Sequence, residues 1–286
     1  MPDCACRAKL VETRPCAALS LAAVRRDRAI VSTAIVVISV LAWGYTLWLA
    51  AHMRMMDMSP VAPSSGGMGA MSAAEPTFRP WSVADFGFMF IMWSVMMVGM
   101  MTPSVAPMVL LYAAAGRTAV AHGRPLAATG WFLAGYLAAW IAFSLVATGA
   151  QWILTHLALL TPMMQSASGI FGGFVLIAAG VYQWSPVKDI CLKQCQSPLG
   201  FLMTHGGFRS EPLGALRLGA QHGLYCVGCC WVLMALLFAG GVMNVLWIAG
   251  LAVLVLLEKV VPTGHLVPRF AGAALAAAGL FFLVRS

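Results

Sequence analysis

The chain has 286 residues, 61% of them hydrophobic and only 9% charged, with a mean hydropathy of +0.88. A soluble domain carries about 25% charged residues, so this composition excludes a water-soluble globule and makes lipid the solvent for most of the chain. The net charge of +8 does not signal nucleic acid, because the Lys and Arg residues sit between apolar runs and form no basic stripe interleaved with aromatics.

A membrane span needs roughly 20 apolar residues. Seven runs approach that length: 29–51, 84–115, 126–150, 166–184, 214–240, 242–261 and 268–284. The expected fold is all-α, a polytopic transmembrane helix bundle of about seven spans. Six is the alternative, because the last run is short and rich in Ala and Gly. With the amino terminus inside, all but three of the 17 Lys and Arg residues fall on the cytoplasmic side, the exceptions being Arg54, Arg79 and Arg285. That bias is the positive-inside pattern, and it predicts a multi-pass protein of a bacterial inner membrane whose first run is a signal anchor.

In chain order, residues 1–28 read as a basic, disordered cytoplasmic tail carrying Cys4, Cys6 and Cys16, with no periodicity to tie it to a fold. Residues 29–286 form a single transmembrane domain. Its first outward loop, 52–72, is polar and rich in thioethers: His52, Met53, Met55, Met56, Met58, Met68 and Met71. Methionine gains little as packing material in a solvated loop, and thioethers favour Cu(I) over hard cations. The loop is thus a candidate for capturing metal, with seating at the membrane interface as the other reading.

The second run holds Pro103 and Pro107, which predict a kink or a projection beyond the membrane. Met89, Met92, Met96 and Met100 recur along one side of it, and Met97, Met101 and Met108 form a neighbouring row. Such stripes suit core packing and soft-metal ligation alike. The inner loop 185–213 contains Cys191 and Cys195, four apart and so on one face of a short helix between Pro186 and Pro198, with Lys188 and Lys193 expected toward headgroups or solvent. This pair could be metal ligands, a redox pair or unconnected thiols.

The fifth run carries the densest chemistry. At about 100° per residue, placing Cys226 at zero puts His222 at about −40°, Cys229 at about −60° and Cys230 at about +40°. Three thiols and an imidazole therefore share one helix face inside the membrane, where polar groups usually have partners and functions. With Met96 and Met100 as neighbours, this is a donor set for copper as Cu(I), with Zn(II) as the lesser alternative. The sixth run adds Asn244 and Glu258 as possible proton or metal support, Glu258 lying beside Lys259 as a possible interfacial ion pair.

The segments MMVGMMTPSVAPM (96–108), SPVKDICLKQCQSP (185–198), GLYCVGCCWVLMALLFAGGVMN (223–244) and the pair Glu258–Lys259 resemble a bacterial family of metal-binding integral membrane proteins, catalogued as a domain of unknown function and sometimes labelled copper chaperones. The resemblance spans about residues 80–261 and implies metal handling, with copper as the expected metal. It leaves the amino-terminal thiols outside.

The expected function is holding or relaying Cu(I) in the membrane, with a copper donor or acceptor protein or a membrane complex as partner. No nucleotide-binding motif is present, and neither is a soluble segment large enough for an ATPase domain. Two other readings stay open: a membrane thiol-disulfide oxidoreductase using Cys226 and Cys229, and a non-catalytic assembly subunit with packed cysteines. Helix neighbours three apart have Cβ atoms about 5 to 6 Å apart, whereas a disulfide wants about 3.5 to 4.5 Å, which weighs against the first.

Overall fold

A computed structural model describes residues 13–58, 81–121, 127–160, 168–261 and 265–285, with side chains from residue 29 in the first segment. The described residues are all-helical: α1 (Thr13–Met58), α2 (Val83–Ala121), α3 (Thr129–His156), α4 (Gly169–Tyr182), α5 (Pro186–Gln196), α6 (Pro198–Thr204), α7 (Pro212–Gly240), α8 (Val245–Val260) and α9 (Leu266–Arg285). Each of the seven apolar runs contains one of these helices. Five of these helices, α1, α2, α3, α7 and α9, are each long and apolar enough to cross a membrane. The α4–α5 pair, bent by 65° at its junction, makes a sixth when taken as one broken span. The remaining run becomes α8, whose 16 residues reach only about 24 Å, short of a hydrocarbon core of about 30 Å.

Local sequence explains the helix boundaries. Ser82 and Asp85 open α2 reciprocally: the Asp85 carboxylate accepts from the Ser82 backbone N–H at 2.8 Å, and the Ser82 hydroxyl accepts from the Asp85 N–H at 3.2 Å. Proline occupies the first turn of α5, α6 and α7, where its missing N–H costs nothing. Gly241, at φ 96°, ends α7 in a conformation that other residues resist. Pro103 and Pro107 sit within α2, and the helix runs on through both.

The bundle is organised around α7. Over its apolar window 56% of the residues are buried, against 17% for α1 and for α9, which face outward with side chains such as Val40, Leu41, Phe281 and Phe282. Helix α7 packs on α3, α4, α5 and α8. Its approach to α3 is close enough to demand glycine: a Cβ on Gly219 would strike the Phe132 carbonyl, and one on Gly135 the Leu216 carbonyl. Small residues of this kind let membrane helices gain dispersion contact where lipid offers no hydrophobic drive.

Candidate metal site

Because α7 runs unbroken from Pro212 to Gly240, the spacing of its polar residues converts directly into a face. His222, Cys226, Cys229 and Cys230 are all buried, none more than 3% exposed. Helices α2, α3, α5 and α8 all reach this face.

Cys226 is the point of convergence. Its Sγ lies 2.8 Å from the Lys259 Nζ of α8 and 3.0 Å from the Tyr136 hydroxyl of α3. The Lys259 ammonium also donates to the Ser104 hydroxyl of α2 at 3.2 Å, and the Tyr136 hydroxyl donates to the Met101 carbonyl at 3.1 Å. From α5, Cys195 lies near both Cys226 and Cys229. Cys191, one turn earlier, packs onto Gly228, where a Cβ would stand 2.8 Å from its sulfur. Four thiols therefore cluster about Cys226, whose sulfur meets the lysine, with a fifth on the flank.

The Cys229 and Cys230 thiols both donate to the Cys226 carbonyl at 3.0 Å, which turns them back along their own helix. In that rotameric state, no three His, Cys, Asp or Glu side chains among the described residues form a group that could hold a metal ion. His222 lies among the rings of Phe132, Tyr136 and Phe201, and its Nδ1 is buried without a hydrogen-bond partner.

Two expectations about charged residues are corrected. Lys188 does not face headgroups or solvent: it is fully buried and donates to Glu258 at 2.7 Å. Glu258 is therefore not the ion-pair partner of Lys259. It also accepts from the Gln183 side chain at 2.8 Å, while its carbonyl accepts from Gln196 at 2.6 Å. The physical reason is helix geometry, since adjacent residues point about 100° apart and cannot share one partner direction. Glu258 turns to α4 and α5, and Lys259 to α2 and α7.

Met96 and Met100 are buried in the core, and α2 meets the thiol cluster through Met101 and Ser104, on the neighbouring row. Asn244 caps α8, accepting from the Trp247 N–H and donating to the Gly240 carbonyl, both at 3.3 Å. His52 lies in the last turns of α1, with its Nδ1 3.0 Å from the Trp48 carbonyl, and Met53 packs against the core. Met55, Met56 and Met58 continue the same helix, their side chains lying outside the described residues along with Met68, Met71, Cys4 and Cys6. Tyr136 and Ser104 escaped the sequence reading because a lone hydroxyl in an apolar run carries no pattern. For Lys259 a signal existed, namely a lysine beside an acid with which it cannot share a face.

A family model described as a copper chaperone, PpoB2, matches residues 90–282, more than half of the chain and the whole of the thiol cluster. Neither the comparison with curated proteins nor that with solved structures gives a significant match.

Proposed function

Because the chain belongs to the copper chaperone family, we propose that it binds Cu(I) as cargo within the membrane and passes it on by exchange of thiolate ligands. The observation that carries this reading is the cluster of Cys195, Cys226, Cys229 and Cys230, with Lys259 against the Cys226 sulfur. Thiolates are the donors Cu(I) selects, and two or three of them satisfy its low coordination number. Charge supports the same assignment. Cu(I) held by two thiolates bears one net negative charge, which a low-dielectric site tolerates only with a compensating cation, and Lys259 supplies that cation at 2.8 Å.

Exchange needs a donor that can leave and return. Cys195 and Cys191 meet this need, being only partly buried and carried on a short helix separate from α7. Cys226, Cys229 and Cys230 are the retaining ligands, and His222 is a further donor on the same face. The outward residues His52, Met53, Met55, Met56 and Met58 act as a capture segment. The protein resides in a bacterial inner membrane with its amino terminus in the cytoplasm, and a copper donor or acceptor protein completes the transfer.

The test is the metal content of the protein purified in detergent under reducing conditions and offered Cu(I). Wild type is expected to retain about one copper per chain, and the combined Cys226→Ser, Cys229→Ser and Cys230→Ser variant to lose it. Equal copper in both proteins removes this site. A metal-free wild type with a reversible disulfide between Cys195 and Cys226 transfers the assignment to thiol-disulfide chemistry.

A further inference from the structure

At the α6–α7 end of the bundle lies a cavity of about 830 Å³, lined by His205, Arg209, Glu211, Arg217, Leu218 and Gln221 among others. Its two arginines outnumber its one carboxylate, so its field favours anions. The segment is fixed by backbone contacts: the Arg209 carbonyl accepts from the Tyr112 hydroxyl at 3.3 Å and from the Ala127 N–H at 3.0 Å. Arg209 spends one guanidinium N–H on the His205 carbonyl at 2.8 Å, and Arg217 is exposed.

The α7 wall of the cavity continues, within the packed core, toward the thiols. Leu218, on its wall, is followed at successive intervals of four residues by His222 and Cys226, so all three lie along one face of α7. Leu218 and Cys226 are separated by about 12 Å of helix rise. Between them sits the unpartnered Nδ1 of His222, a buried donor site with nothing to bind. The Phe201 ring lies between the two histidines, stacked on His205 at 4.3 Å and edge-on to His222 at 4.8 Å.

A bare cuprous ion would be repelled by Arg209 and Arg217. We propose that this cavity receives Cu(I) as an anionic complex with a small carboxylate-bearing thiol, and that His222 is the way station between it and Cys226. The inference rests on the thiol site proposed above and adds a second route to it, from the end opposite the outward capture segment, together with the form in which copper arrives there. Arg209 and Arg217 bind the carboxylates of the carrier. Each carrier Cu–S bond that breaks is replaced by a bond to His222 or to a cysteine sulfur. Each incoming cysteine gives its thiol proton to the departing carrier thiolate, and copper remains Cu(I) throughout. An anionic lipid headgroup would suit the arginines equally, but it would have no use for an orphaned imidazole one turn deeper.

The experiment compares two donors for the full-length protein in detergent free of anionic lipid: Cu(I) bound by mercaptosuccinate, and Cu(I) as its cationic acetonitrile complex. Loading is followed by the ultraviolet thiolate-to-copper absorption. Replacing Arg209 and Arg217 together by Gln is expected to slow loading from the mercaptosuccinate complex at least tenfold and not to slow loading from the cationic acetonitrile complex, which the two charges repel. Arg217→Glu, which reverses one exposed charge, should slow the first donor without slowing the second. Variants that load from both donors at the wild-type rate, or that slow equally for both, overturn the proposal. A wild-type protein that takes copper from neither donor refutes the thiol site itself, a failure distinct from loss of donor selectivity.

Discussion

A lysine ammonium inside a membrane bundle is expensive unless something answers its charge. Lys259 is only 7% exposed, and its partners are the Cys226 sulfur and the Ser104 hydroxyl. A neutral thiol is a poor match for that position, and a thiolate or a copper–thiolate complex a good one. Charge-assisted hydrogen bonds contribute about 1.5 to 3 kcal/mol. Lys259→Met is therefore expected to weaken Cu(I) binding about 10- to 150-fold, read by competition against a coloured Cu(I) chelator. Lys259→Arg should retain most of the affinity. Unchanged binding by the methionine variant would show that the ammonium does not compensate the metal site. Gly228 is a second sensitive residue, because Cys191 occupies the space a side chain would need. Gly228→Val should expose Cys191 and raise its rate of alkylation by maleimide, whereas an unaltered rate would mean that Cys191 does not rest against α7.

Among the elements, α5 is tied to α8 at one residue. Glu258 binds Lys188 and Gln183 through its carboxylate and Gln196 through its carbonyl, which ties both ends of α5 and the end of α4 to α8. Cys195 reaches the α7 thiols because this anchor holds. Removing one member of a buried ion pair costs about 3 to 5 kcal/mol, while replacing both with apolar residues of similar volume is often neutral. Lys188→Met alone should thus lower the unfolding temperature in detergent markedly, and Lys188→Met with Glu258→Leu should restore much of it. Equal losses in the single and double variants would mean that the pair is not a closed unit.

The helix faces were legible in the sequence, and their partners were not. The spacing of His222, Cys226, Cys229 and Cys230 specifies one face of α7 without any knowledge of the bundle. That Cys195 joins them depends on the 65° bend between α4 and α5, which no periodicity encodes. The same limit explains the charged pair at 258 and 259. Sequence adjacency suggested that Glu258 and Lys259 pair with each other, but helical geometry sends them to different neighbours.

At the scale of the whole molecule, composition pointed to apolar helices, and five of those described are long and apolar enough to cross a membrane. Each of the seven apolar runs contains a helix, yet α8 reaches only about 24 Å, and α4 is long enough to cross a membrane only when taken together with α5. Short helices survive here because each is packed in protein: α8 against α2 and α7, and α4 against α7 and α9. If all seven segments cross, the two termini lie on opposite sides of the membrane. A periplasm-active reporter fused after residue 285 should then be functional, and a cytoplasm-active reporter at the same point silent. The reverse pattern would reduce the crossings to an even number and would require the inner and outer loops after the lost span to be exchanged.

The central claim is that α7 and α5 together hold copper through sulfur. It is tested most directly by X-ray absorption at the copper edge of the wild-type protein loaded with Cu(I). The account predicts a cuprous edge and a first shell of two or three sulfur atoms, which the combined Cys226, Cys229 and Cys230 serine variant abolishes. A first shell of nitrogen or oxygen alone, or a sulfur shell that persists in that variant, would contradict it.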